Sequence, residues 1–363
     1  MTTPLHFTPI LMDRVWGGAK LASYLHEPMP NTGAIGEAWL ISDHPSAESV
    51  VDDGPHKGRT LHDLITEDAE ALLGRLAKLT PQGRFPLLLK ILDAGTSLSV
   101  QVHPDDACAK RLAEPDVGKT EMWHVIQADT GSELVCGLDP NMDADGFRAS
   151  VDRGGIEEAM TRFETVPGDS VFVPSGTVHA IGGGILLAEI QQNSDLTYRI
   201  YDYNRPGPDG KLRELHLEKA AEAIHFGSSH AGKHNALKLP TEGVTTRSVL
   251  AACRHFAAER WDLNGLYEHN TFGDSFHIIL IAEGLAEIAT AGRDTILGEG
   301  QAVLVPGNAG RYTVTGGGAA LVYYVPDLSR DIVGPLSAAG HNADSIIRLC
   351  GDPSTSDLTA LMK

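Results

Sequence analysis

The chain has 363 residues, 42% of them hydrophobic and 21% charged, which is the balance of a folded globular protein with room for two or three domains. A formal net charge of −19 excludes the Lys and Arg surplus of a duplex-binding surface, and no window reaches the ~18 to 20 uninterrupted apolar residues of a membrane span. MTTPLHFTPI carries no basic-then-apolar leader, and Cys108, Cys136, Cys253 and Cys350 form no C-x-x-C pair, so the expectation is a soluble protein of the cytoplasm, without nucleic-acid or membrane partners.

In chain order, residues 1–56 alternate short apolar runs (FTPILM, RVWGG, GEAWLIS) with Gly and Pro and read as strands and turns, with a short helix at 19–25. Residues 61–79 place apolar side chains at helical spacing against an acidic face and read as an amphipathic helix. The run 86–93, PLLLKILD, reads as a buried strand. In SLSVQVHPDD, Leu98, Val100 and Val102 alternate with Ser99, Gln101 and His103, so three polar residues share one strand face. A helix over 105–113, capped by Asp105, leads to the strand EMWHVIQA, residues 121–128. Two short helices broken at Gly154-Gly155 are predicted over 144–163, a further helix over 215–226, and a linker over 231–243.

Between these lies Gly168-x5-Pro174-x-Gly176-x2-His179, a strand entering a Pro-Gly turn that aims an imidazole into whatever the sheet encloses. The β-rich stretch 245–325 repeats it, since Gly300, Pro306 and Arg311 follow the same spacing, and Phe276-His277-Ile278-Ile279 echoes Trp123-His124-Val125-Ile126. Repeated short strands with Gly and Pro turns predict a mainly β protein of two jelly-roll barrels with a small helical portion, the second having lost its histidine. Gly118-Lys119-Thr120 imitates a phosphate loop, but Ala113 stands where that loop needs glycine.

Gln101 and His103 point the same way, Glu121 opens the next strand and His179 follows the turn. Two imidazoles, a carboxylate and an amide oxygen form a mixed nitrogen and oxygen set suited to one Zn²⁺, or another first-row divalent ion, with positions left for water or substrate. Read as structure alone, the same residues would be barrel-interior hydrogen-bonding groups and a solvated strand end.

The segment around His179 resembles the second cupin motif, with Gly183 where many cupins have Asn. FPLLLKILDAGTSLSVQVHPDD, GKTEMWHVI, VPSGTVHAIGGG and EIQQNSDLTYRIYDYNR, together with RVWGG and GEAWLIS, resemble the type I phosphomannose isomerases (mannose-6-phosphate isomerases) in their short bacterial form, over about residues 7–205. The resemblance implies a catalytic cupin domain at 1–240, a degenerate second cupin domain at 241–326, and a tail at 327–363 packing on the surface. It implies Gln101, His103, Glu121 and His179 as metal ligands and Arg199 as the essential arginine. The proton-transfer base would be Glu189 or Asp195. Lys119, two residues before a ligand, should bind or polarise substrate oxygens, Ser99 is a candidate phosphate contact, and Lys90 either reaches the pocket or forms a buried ion pair. The expected activity is interconversion of mannose 6-phosphate and fructose 6-phosphate by a monomer or homodimer. The alternatives are a glucose 6-phosphate or free-mannose isomerase, and a sugar-binding cupin without turnover.

Overall fold

Every residue of Leu87–Ala94 and Ile185–Gln192 is buried, which makes these two strands the centre of a sheet covered on both faces. A computed structural model describes residues 1–29, 34–207, 209–227, 233–240 and 243–362. Its six-stranded sheet runs Ser170–Val173, Glu121–Ala128, Ile185–Gln192, Leu87–Ala94, Ile35–Ile41, Ile10–Asp13. A five-stranded sheet runs Met160–Glu164, Glu133–Leu138, His179–Ile181, Val100–Val102, Tyr198–Tyr201. The two pack through Leu92, Trp123, Val125 and Leu187 of the first and Leu134, Cys136 and Ile181 of the second, closing a jelly-roll barrel.

The helices depart from expectation where tertiary contact overrides periodicity. The helix expected over 61–79 runs Leu61–Leu73, opened by a reciprocal Thr60–Asp63 capping box. It stops at Gly74 (φ 79°), where the backbone passes so close to Asp274 that a β-carbon would sit 2.6 Å from its carbonyl. Asp106–Arg111 and Leu217–Ala223 are helical, Asp105 capping the first through Cys108 N. Of the two helices expected over 144–163, Ala144–Asp152 forms and Ile156–Ala159 is one 3₁₀ turn, but Met160–Glu164 is a strand held by Glu133–Leu138. Within the expected linker, Leu237–Lys238 pairs with the Thr246–Ala252 strand, while 231–232 and 241–242 lie outside the described residues. The four cysteines are buried, with no disulfide among the described residues. No described helix is long and apolar enough to cross a membrane.

The C-terminal half is an eight-stranded sheet built around Ala257–Asn270, His277–Thr290 and Arg311–Tyr324, and the N-terminal strand Leu5–His6 joins it by pairing with Ala302–Val305. Strand register identifies its counterparts in the first barrel. Val173 lies opposite Glu121, and Val305 opposite His277. Glu189 lies opposite Trp123 and Lys90, and Val322 opposite Ile279 and Glu259. His277, Glu259 and Val322 therefore stand where the first barrel has Glu121, Lys90 and Glu189. Pairing shifts the sequence echo by three residues, because position on the sheet and not likeness of letters sets which side chains face inward.

Inside this second barrel Arg247 donates two bonds of 2.8 Å to Glu259, which also accepts from Trp261 Nε1 and Tyr324 Oη, each at 2.7 Å. Glu259 is held charged: burial raises its pKa, and Arg247 more than reverses that. Arg247→Met would strand this carboxylate in the core and should cost about 3–5 kcal/mol in urea unfolding, most of it recovered in Arg247→Met/Glu259→Gln. A single-mutant loss below about 1 kcal/mol would show that the pair does not organise the barrel.

Candidate active site and metal centre

Antiparallel register builds the site from two facing rows. On the five-stranded sheet, Arg199 lies opposite Gln101 and Gln101 opposite His179. On the six-stranded sheet, Lys90 lies opposite Glu189 and Glu189 opposite Trp123. Arg199, Gln101, Lys90 and Glu189 line a cavity of about 390 Å³, together with Ser99, Lys119, Asp195, Arg14, Glu37 and Arg213. The Pro174–Thr177 turn leads into the strand that begins at His179. Gly176 (φ 82°) donates from its backbone N to His103 O at 2.7 Å, and a β-carbon there would meet the His225 ring at 2.5 Å, so only glycine fits.

His103, Glu121 and His179, each no more than 1% exposed, bring one donor atom apiece to within 4.8 Å of one another. His103 Nδ1 donates to Leu196 O and His179 Nδ1 to Thr177 O, both at 2.8 Å, which leaves each Nε2 as a lone-pair donor. These nitrogens lie 3.3 and 3.5 Å from the Glu121 oxygens. Glu121 Oε1 is buried without a hydrogen-bond partner, a costly arrangement that a cation would relieve. The Gln101 amide nitrogen is 3.3 Å from His179 Nε2, and a half-turn of the amide would present its oxygen instead. All four sequence-derived ligands thus converge, and their donor chemistry fits a first-row divalent ion.

Charge is organised around this set. Burial pushes the His103 pKa down to about 3, aided by Lys119, and burial lowers that of His179, so both imidazoles are neutral. Burial would raise the pKa of Glu121, but Lys119 holds it well below the usual range. Lys119 donates to Glu121 and lies 3.1 Å from His103 Nε2. Lys119 Nζ and Lys90 Nζ each sit 3.7 Å from Glu189 Oε1, and Trp123 Nε1 donates to Glu189 Oε2 at 3.0 Å. Burial and the neighbouring Glu121 charge raise the Glu189 pKa despite these lysines. The two carboxylates are therefore driven apart, one ionised and one able to carry a proton. Lys90 both reaches the cavity and is ion-paired. Asp195, by contrast, is exposed at the mouth, its backbone N donating to Asp116 at 3.1 Å.

Arg199 and Arg213, which line the cavity, belong to a cationic cluster. Asp202 accepts from both Arg205 (2.8 Å) and Arg213 (2.7 and 2.5 Å), and Arg199, whose buried Nε has no partner, lies close enough to both arginines for its pKa to fall, after the effect of burial. Asp202 thus pairs with two guanidinium groups, with the third, Arg199, close by. Ser99, 4% exposed, borders the same cavity. Sequence reasoning missed Arg213, which lies in a Gly/Pro-rich connection. It also missed the pair in which Arg14 donates two bonds to Glu37 (2.8 and 3.0 Å), although RVWGG and GEAW flank both residues.

Residues 5–138 match the family described as Phosphomannose isomerase type I, catalytic domain, and residues 245–325 that described as Mannose-6-phosphate isomerase, cupin domain. The chain is 37% identical over 325 residues to the mannose-6-phosphate isomerase ManA of Bacillus subtilis (strain 168), an alignment covering 99% of that protein and 89% of this chain. It is 38% identical over 265 residues to the mannose-6-phosphate isomerase of Streptococcus mutans, covering 80% of that protein and 73% of this chain. The crystal structure of the mannose 6-phosphate isomerase from Bacillus subtilis superposes with a TM-score of 0.80 at 33% identity, over 99% of that chain and 88% of this one.

Glu37 supplies a pH signature. Burial would raise its pKa, yet Lys90 and Arg14 bring it from 4.5 down to about 2. A carboxylate more acidic in the folded state contributes stability that is complete above its unfolded pKa and disappears as pH falls through the folded one. Between about pH 5 and pH 2 the wild type should therefore lose about 3 kcal/mol that Glu37→Gln never possessed, read as converging urea midpoints. Parallel curves for the two proteins would contradict this charge assignment.

Proposed function

The chain belongs to the type I phosphomannose isomerase (mannose-6-phosphate isomerase) family and is an aldose–ketose isomerase of mannose 6-phosphate and fructose 6-phosphate; on that premise we propose how its own residues divide the work. The observation that carries the reading is one cavity lined by Gln101, Lys119 and Glu189, which border the buried His103/Glu121/His179 donor set, and by Arg14, Arg199 and Arg213. Such a cavity suits a small sugar whose reacting carbons and phosphate lie at opposite ends. A dianionic phosphate would bind Arg213 and Ser99, placing C1 and C2 beside Glu189 and Lys119.

Isomerisation moves a proton between C2 and C1 through an enediol(ate), with no external electron acceptor. Glu189 is the group best placed to carry that proton, being buried, raised in pKa and held by Trp123 Nε1. Asp195, at the exposed rim, is assigned to substrate contact. Lys119 and Arg199 stabilise the oxygen that becomes negative, Arg199 standing one strand from Gln101. The metal, zinc in this reading, would be held by Gln101, His103, Glu121 and His179 and would supply Lewis-acid polarisation of substrate oxygens. Sugar phosphates and reduced thiols coexist in the cytoplasm, which is where this reading places the enzyme.

A coupled assay should show fructose 6-phosphate formed from mannose 6-phosphate, lost on chelation and restored by zinc. Activity indifferent to complete metal removal would refute the metal role. His103→Ala should lose both bound metal and turnover while staying folded, whereas Arg199→Ala should keep its metal and lose about 10²-fold or more in kcat. Glu189→Gln should cost at least 10²-fold in kcat and Asp195→Asn far less, and the reverse order would move the proton to Asp195.

A further inference from the structure

Residues 327–362 lie beyond both matched family segments, and they are tied firmly to the C-terminal barrel. Ile332, Leu336, Ile346, Leu349 and Leu358 are fully buried in its core. Leu349 O accepts from Ala252 N at 3.0 Å, and Asp357 accepts from the backbone N and Nε of Arg254, each at 2.8 Å.

The other side of this segment touches the catalytic barrel. At Gly351 (φ 81°) a β-carbon would lie 3.2 Å from Pro174 Cγ and 3.3 Å from Phe172 Cδ1. The backbone of the tail therefore rests on the strand end and turn that deliver His179. That turn bonds to all three buried donors or their immediate neighbours. Gly176 N donates to His103 O at 2.7 Å, Thr177 O accepts from His179 Nδ1 at 2.8 Å, and Ser175 N donates to Thr120 Oγ1, beside Glu121, at 3.4 Å. On this flank Pro174 and Ser175 border a cavity of about 300 Å³, whose far wall includes Cys253, Cys350 and Asp357. On this flank the tail at Gly351 backs Pro174, while His225 N bonds to Gly176 O at 2.9 Å at the other end of the turn.

We propose that the segment from Leu349 to Asp357 is a positioning strap for the metal centre, with Gly351 seating the Pro174–Thr177 turn and, through it, His103 and His179. The inference rests on the metal reading above and adds to it a part of the chain remote from the cavity. Residues that orient ligands typically govern metal affinity by about 10- to 100-fold when disturbed. Gly351 touches neither substrate nor metal, so its effect should appear in metal binding before it appears in folding.

The test is titration of the metal-stripped full chain with Co²⁺ and Zn²⁺ against a competing chelator, with the visible absorption of the cobalt form as a reporter of ligand geometry. Gly351→Ala should bind metal about tenfold more weakly and show an altered cobalt spectrum. Gly340→Ala is the control: Gly340 has φ 86°, so the backbone strain is the same, but nothing lies within 4 Å of its β-carbon position. It should keep wild-type affinity and spectrum, and Gly351→Ala/Phe172→Leu should regain affinity by making room. Wild-type affinity and spectrum in Gly351→Ala, or equal losses in both glycine variants, would overturn the strap. A wild type that binds no metal would instead overturn the metal reading itself. If Gly351→Ala does not fold, Asp357→Asn loosens the strap without adding an atom, and weaker binding or unchanged binding decides the question in the same way.

Discussion

A buried, ionised carboxylate is the constraint on which the rest of the structure depends. Glu121 has no exposed surface, and one of its oxygens has no hydrogen-bond partner. A charge so placed persists only when surrounded by compensating groups. Lys119 supplies the opposite charge, and Lys119 is in turn near Glu189, which faces Lys90, which lies over the Trp39 ring at 4.6 Å. The interior between the two sheets is therefore a chain of alternating charges and not an oily core. Glu121, Glu189 and Lys90 are fixed by strand register and Lys119 by its bond to Glu121, so the fold supplies preorganisation. The arginine cluster is arranged differently: Arg205 and Arg213 share Asp202, leaving positive charge for an anion to neutralise.

The second barrel shows what the same scaffold becomes without that constraint. His277 stands in the place of Glu121, and Glu259 in that of Lys90. Arg247, Trp261 and Tyr324 satisfy both oxygens of Glu259, so that carboxylate has none left over for a ligand. Duplicated topology has thus diverged by exchanging an unsatisfied polar interior for a satisfied one.

The parts of this protein legible in the sequence were those whose signal is local or carried by family likeness. Alternation in SLSVQVHPDD placed Gln101 and His103 on one face, and the Pro-Gly turn placed His179. What escaped depended on long-range contact. Residues 74–79 leave the helix because Gly74 abuts Asp274, two hundred positions away in the chain order of contacts. Met160–Glu164 becomes a strand because Glu133–Leu138 offers it an edge. Arg213 sits in a connection whose composition announces only a turn, and the role of Glu37 emerges once Arg14, Trp39 and Lys90 surround it. Helical periodicity and turn propensity describe neighbours in sequence, whereas these residues answer to neighbours in space.

The row Arg199, Gln101, His179 has a consequence for biogenesis. Its members come from three strands, and pairing with period two means that a slip of one residue in any of them would turn that strand's member to the opposite face. Gln101 and His179 are far apart along the chain, so they meet only after slow, non-local strand pairing has finished. An ion held by this set would therefore favour the assembled protein: a misregistered or half-closed barrel has no donor set to offer, and a ligand that binds only the native state stabilises it.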